Sequence, residues 1–160
     1  MGLEIERKFL LKGPFKELAT SSSHIIQGYM PTQPGVTVRV RIRDEKGFLT
    51  IKGNSSLDGL SRYEWEKGIP LSEANELLKL CFKGTIDKTR YLIPYQGVTY
   101  EVDEFHGKLE GFTLAEIELN DEIQEFPRAP FLGKEVTGNP HYYNSVLLRL
   151  SLADLDLPEK

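Results

Sequence analysis

The sequence predicts an α+β domain dominated by one large antiparallel sheet, with strands numerous enough to close into a barrel. Three observations lead there. Apolar and charged residues alternate with period two in segment after segment. Turn-forming residues separate those segments at hairpin spacing. Helical periodicity surfaces in only about two or three places. At 160 residues the chain is long enough for one domain, taken as 1–160, with a substantial core.

Residues 3–11 alternate and read as a strand. Residues 13–23 read as a connection with room for one helical turn. HIIQGYM, 24–30, is a strand stopped by Pro31 and Pro34, which cannot donate to a ladder. TVRVRIR, 37–43, the turn DEKG and FLTIK, 48–52, form a hairpin signature. GNSSLDG, 53–59, is a polar loop that lacks the Lys and following helix of a phosphate-binding loop. SRYEWEKGI, 61–69, is again a strand. The period then changes. Ala74, Leu77, Leu78 and Cys81 fall at i, i+3, i+4 and i+7, which predicts a helix over 71–81 capped by Ser72. Strands return at 83–93, 98–105 and 112–119, divided by turns at Gly97 and at Gly107 and Gly111. A short helix fits after Asn120 or Asp121. Asn139 as cap and Pro140 at the first helical position start a C-terminal helix, taken as 140–151.

Bulk properties exclude several classes. The net charge of −4 and pI near 5.5 give no reason to expect a nucleic-acid partner, so any anion site must be local. A single Cys81 excludes an intrachain disulfide and a multi-cysteine zinc site, and its apolar neighbours suit packing. There is no charged-then-apolar leader and no apolar run near about 18 residues, so a cytoplasmic protein with no membrane partner is expected. His24, His106 and His141 are scattered without metal spacing. Composition is silent on monomer versus homodimer.

The charges are the informative feature. Side chains at i and i+2 of a strand share a face. Glu4, Glu6 and Lys8 therefore share one, as do Arg39, Arg41 and Arg43, then Arg62, Glu64 and Glu66. Lys88 pairs with Arg90, Glu101 with Asp103, and Glu116 with Glu118, while Lys52 ends its own strand. A charged face turned to water is the ordinary explanation of such alternation. Three features weigh against it. Thr, Ser and Gln are nearly absent from these positions, the charges segregate by sign between strands, and Arg is preferred at strand centres. Like charges two apart repel without counterions, and Arg suits bidentate oxyanion contacts. A sheet closed with its charges inward accounts for all three, with a basic sector for a polyanion and an acidic sector for hard divalent cations. The residue pattern leaves the solvated sheet and the charged lumen as two standing alternatives.

Taken in order, the motifs are Glu4-Ile5-Glu6-Arg7-Lys8, Arg39-Val40-Arg41, Thr50-Ile51-Lys52, Glu64-Trp65-Glu66, Lys88-Thr89-Arg90, Asp103 and Glu116-Ile117-Glu118. The series resembles the CYTH superfamily, or triphosphate tunnel metalloenzymes, over about residues 1 to 150, essentially the whole chain. In size and spacing, and in the tail GKEVTGNPHYYN, the chain is similar to the short bacterial inorganic tripolyphosphatases. The resemblance implies an eight-stranded antiparallel β-barrel, a triphosphate tunnel, with a few outer helices and the C-terminal helix near one mouth. It implies Mg²⁺ or Mn²⁺ and a small-molecule triphosphate as partner. Carried over by position, Glu4, Glu6, Glu64, Glu66, Asp103, Glu116 and Glu118 are expected as metal or metal-water ligands. Lys8, Tyr29, Arg39, Arg41, Arg43, Lys52, Lys88 and Arg90 are expected on the phosphates, and Glu4, Glu6, Lys8 and Lys88 at the chemical step.

The function expected is divalent-metal-dependent hydrolysis of inorganic tripolyphosphate to pyrophosphate and phosphate. Adenylate cyclase of class IV, thiamine triphosphatase and a non-catalytic triphosphate-binding protein are the alternatives. No motif identifies an adenine pocket or a thiamine-stacking surface. Trp65 has the parity opposite to Glu64 and Glu66, which places it outside the lumen.

Overall fold

The computed structural model describes residues 2–81, 84–150 and 154–155. Its nine described strands are β1 (Gly2–Leu11), β2 (Ser21–Tyr29), β3 (Thr37–Arg43), β4 (Lys46–Ser55), β5 (Ser61–Ile69), β6 (Thr85–Tyr95), β7 (Val98–Phe105), β8 (Thr113–Glu118) and β9 (Leu132–Glu135). Helix α1 spans Leu71–Leu78 and α2 spans Asn144–Leu147. Neighbours run in the order β5, β4, β3, β2, β6, β7, β8, β1, and a further β5–β1 pairing closes the eight into an antiparallel barrel. Closure leaves no free edge on these strands to template aggregation.

Tight turns set the hairpin registers. Gln96 and Gly97 both have positive φ between Tyr95 and Val98, the geometry that matches strand twist in a two-residue hairpin. Strand β1 does the closing. Its first residues pair with β5 and its middle with β8, whereas Phe9 and Leu11 pair with β9. Arg7 fastens that last pairing from outside, gripping Glu135 through Nε at 2.8 Å and a terminal nitrogen at 2.6 Å.

Apolar packing covers part of each face of the barrel wall. Outside, Ile5, Phe9, Ile93, Tyr100, Val102, Ala115 and Ile117 pack beneath Phe126, Ala129 and Phe131 from the segment between β8 and β9. Burying each large side chain there is worth about 1.5–3 kcal/mol. Inside, a second cluster seals one end of the lumen. Leu10, Ile86, Phe105 and Leu114 meet Tyr142, Leu147 and Leu148 of the C-terminal segment. Along β1 the inward residues thus run Glu4, Glu6, Lys8, Leu10, from a charged chamber to an apolar floor.

Several elements differ from the sequence expectation. Strand β2 begins at Ser21 rather than 24, because the serines pair with Tyr91 and Leu92 of β6. Strand β4 extends through the start of the polar loop to Ser55. Ser72 does not cap α1: Pro70 holds the cap position with no side-chain hydrogen bond, and the helix stops at Leu78. No helix follows Asn120; Asp121 and Gln124 close that turn by accepting backbone N–H bonds. Asn139 does cap, accepting from the His141 N–H at 3.1 Å. The chain then makes a 3₁₀ turn over Pro140–Tyr142 and enters the short α2, in place of one helix over 140–151. Residue 151 and the expected strand start at 83 lie outside the described residues. Strand β9 had no alternation to announce it. Among the described residues, no helix is long and apolar enough to cross a membrane.

Helix α1 lies on the outer wall of β2, β3 and β4 at two glycines. A Cβ on Gly28 would come within 2.7 Å of Cys81 Cβ, and one on Gly47 within 2.7 Å of Ala74 Cβ and 2.9 Å of the Ile69 carbonyl. Gly47→Ala is therefore expected to lift the helix and cost about 1–3 kcal/mol, which urea denaturation followed by circular dichroism will measure.

Candidate functional site

Of the residues expected at the site, all but Asp103 line a single cavity of about 180 Å³ inside the barrel. The charged lumen, not the solvated sheet, is what the chain builds. Strand alternation brings each side chain inward, and strand order decides which meet. The basic residues of β3 stand beside β2, which in turn joins β6, so that Arg39, Arg41, Lys88 and Arg90 converge on one wall. The acids of β1, β5 and β8 meet on the other.

The basic wall is held from behind. Asp103 is 1% exposed and accepts from Arg90 Nε at 2.8 Å, from a terminal Arg90 nitrogen at 2.9 Å and from Lys88 Nζ at 2.7 Å. Burial opposes ionisation of Asp103, but Arg90 and Lys88 outweigh it and hold the carboxyl below its usual range. Lys88 Nζ also donates to Asn144 Oδ1 at 2.9 Å. Burial, with Arg90 and Arg41 nearby, brings Lys88 down to about 7 despite Asp103. Burial also pushes Arg41 down to about 9, helped by Arg39 and Arg90, so it is still charged at neutral pH. Arg39 donates to Thr50 Oγ1 at 3.1 Å and reaches Glu66 at 3.4 Å, while its buried Nε has no partner among the described residues. Arg43 is exposed and lies over the Phe48 ring at the rim.

The acidic wall is under-compensated. Lys52 Nζ bonds both oxygens of Glu4, at 2.9 and 3.0 Å, and sits 3.5 Å from Glu64. Glu6 faces Glu118 directly across the β1–β8 ladder, and Glu116 faces Glu101 across β7–β8. Like charges placed so repel. Burial and Glu116 raise the Glu6 carboxyl well above its ordinary range, against the pull of Lys8. Burial with Glu101, Glu4 and Glu64 raises Glu118 to about 7. Glu116 goes the other way: burial opposes its charge, yet Lys8, Arg90 and a hydrogen bond with Glu6 hold it well below. Lys8 is the hinge between the walls, 3.8 Å from Glu6 and 3.4 Å from the Tyr142 carbonyl.

The donor set is all oxygen, as a hard divalent cation requires. Among the described residues no three carboxylate, His or Cys groups converge closely enough to hold a metal by themselves. Glu4 and Glu64 are turned to Lys52 instead. Unneutralised acid charge facing cations across a narrow chamber still fits a cation that keeps several waters and shares phosphate oxygens. Two residues with lumen parity, Gln27 and Thr50, carry no charge to mark them in the sequence; both are fully buried. Asn144 and Thr137 reach the cavity from the C-terminal segment; both lie in the tail GKEVTGNPHYYN, whose resemblance assigned neither a role.

Comparison with known proteins agrees with this architecture. A protein of Acetivibrio thermocellus named inorganic triphosphatase is 48% identical over 151 residues, covering 93% of this chain and 95% of the relative. One of the same name from Nitrosomonas europaea is 34% identical over 150 residues, covering 90% and 95%. A solved structure described as an inorganic triphosphatase superposes with a TM-score of 0.64 at 31% identity, covering 97% of this chain and 96% of that one. Residues 2–143 match the CYTH domain, and with the closed barrel and its charged lumen the chain belongs to the CYTH family.

Proposed function

We propose that this chain is an inorganic triphosphatase that needs a divalent cation and splits tripolyphosphate into pyrophosphate and phosphate. One observation carries the reading: an acidic wall and a basic wall face each other within one closed chamber. The basic wall matches the oxygens of an extended triphosphate, and the acidic wall matches the cation that accompanies it. The two inorganic triphosphatases at 48% and 34% identity support the choice of substrate.

Lys8, Arg39, Arg41, Lys52, Lys88 and Arg90 bind phosphate oxygens, with Tyr29 donating from the wall and Arg43 receiving at the rim. Glu4, Glu6, Glu64, Glu66, Glu116 and Glu118 would hold Mg²⁺ or Mn²⁺, directly or through water. The bound ion supplies neutralisation of phosphate charge and activation of water. A glutamate of the Glu4/Glu6 or Glu116/Glu118 pairs, acting through a bound water, is the proposed base. Lys88 Nζ, poised near neutrality, steadies the leaving pyrophosphate. Asp103, expected among the metal ligands, lies behind the lining and is better read as the residue that positions Lys88 and Arg90.

Phosphate release from tripolyphosphate, ATP and thiamine triphosphate, each with Mg²⁺ or Mn²⁺ and an EDTA control, tests the reading. EDTA-sensitive release from tripolyphosphate is expected; cyclic AMP from ATP without it would replace the proposal with a cyclase. Glu6→Gln or Glu116→Gln is expected to abolish metal-dependent turnover while the circular dichroism spectrum stays native, and near-normal rates in both would sink the ligand assignment. Arg41→Ala is expected to lose about 2–4 kcal/mol of transition-state stabilisation in kcat/KM.

The raised acids also fix a pH dependence of stability. Glu118 moves from 4.5 to about 7 on folding, so between those values the folded state binds more protons than the unfolded. The stabilising increment is complete below 4.5 and is lost as pH rises through about 7. Glu6 and Glu64 shift in the same direction. Solvent at Glu118 mutes its share. Metal-free protein is therefore expected to melt at a lower temperature at pH about 7 than at about 5, and added Mg²⁺ or Mn²⁺ to recover the loss. A differential scanning calorimetry series with and without EDTA checks both signs.

A further inference from the structure

Gln27 lies on β2, fully buried, two residues before Tyr29 and directly opposite Arg41 in the β2–β3 ladder. Its amide joins those two side chains. Oε1 accepts from Arg41 Nε at 2.9 Å, and Nε2 donates to the Tyr29 hydroxyl at 2.7 Å. The orientation of the amide is forced by chemistry. A guanidinium only donates, so the carbonyl end must face Arg41. The NH₂ end must then face Tyr29, where the phenol oxygen has to accept. The proton of the Tyr29 hydroxyl consequently points away from Gln27. Tyr29 and Arg41 line the cavity, and Gln27 does not.

We propose that Gln27 is a positioning residue for the polyanion: a neutral, two-ended amide that aims the Tyr29 hydroxyl proton and the outer edge of the Arg41 guanidinium at the same phosphate. The inference rests on the triphosphatase reading. The residue type follows from the neighbours. A carboxylate at this position would accept from both, turning the Tyr29 proton back into the wall and cancelling charge that Arg41 offers to substrate. A cation would repel Arg41, which is already crowded by Arg39 and Arg90. An apolar side chain would leave Arg41 Nε and the phenol without the partners that hold their direction. Glutamine satisfies Arg41 without neutralising it.

Gln27→Glu exchanges one amide nitrogen for oxygen and keeps the shape, so it separates hydrogen-bond direction from packing. Calorimetric titration with inorganic tripolyphosphate in EDTA reads binding without turnover. Gln27→Glu is expected to melt close to wild type yet bind at least about tenfold more weakly, the scale of a lost charge-assisted hydrogen bond. Tyr29→Phe is expected to weaken binding in the wild-type background and to add nothing in the Gln27→Glu background, because the two act as one unit. Gln27→Met, which removes both bonds, should likewise abolish the effect of Tyr29→Phe, and it supplies the same comparison if Gln27→Glu does not fold. Binding by Gln27→Glu within about twofold of wild type, or an undiminished Tyr29→Phe effect in both Gln27 variants, overturns the inference. Failure of the triphosphatase reading shows separately, as absence of metal-dependent phosphate release by the wild-type protein.

Discussion

A barrel lumen offers little water to a charge placed in it, so each such charge needs a counter-charge or a ligand. Asp103 is where that constraint is met most fully. One carboxylate, almost entirely enclosed, accepts from Arg90 and Lys88 together, offsets part of their charge and fixes both in direction. Without it Lys88 would lose its carboxylate partner and Arg90 would be left with Glu101 at 3.3 Å, so the basic wall would hold its charges less well. The arrangement is tuned short of full compensation. Lys88 still titrates near neutrality and Arg41 still sits below its ordinary range, so the wall retains positive potential for an incoming anion.

The opposite wall is left unbalanced in the other sense. Strand pairing sets Glu6 against Glu118 and Glu116 against Glu101. Lys52 pairs with Glu4 and Glu64. Two walls of opposite sign, each short of neutrality, describe a chamber completed by an anion and a cation together. Stability is given up for that incompleteness, as the raised Glu6 and Glu118 carboxyls register.

The rest of the fold makes the chamber affordable. The apolar floor of Leu10, Ile86, Phe105 and Leu114 closes one end of the lumen, and the C-terminal segment packs onto it through Tyr142, Leu147 and Leu148. The same segment carries Asn144 to Lys88 and the Tyr142 carbonyl to Lys8. Packing energy thus anchors polar contacts that would be weak on a free loop. Outside, the glycines under α1 and the aromatic cluster around Tyr100 and Phe131 hold the wall rigid behind the charges.

By itself the sequence determined which side chains share a face. Alternation is a property of the strand backbone, so Arg39 with Arg41, Glu64 with Glu66 and Glu116 with Glu118 were legible without neighbours. Helix and cap were partly legible: α1 and the Asn139 cap follow local rules, whereas α1 begins from Pro70 rather than Ser72 and the C-terminal segment breaks into a 3₁₀ turn and the short α2. Only the tertiary structure decided depth and partnership. Glu101 and Asp103 have the same parity, yet one lines the cavity and the other is buried behind Arg90, because register across β6 and β7 sets their height. Gln27 carries no charge pattern and gains meaning only when β3 brings Arg41 opposite it. The closed chamber itself depends on β1 meeting β5 and β8 on its two edges, a long-range pairing that no local periodicity encodes.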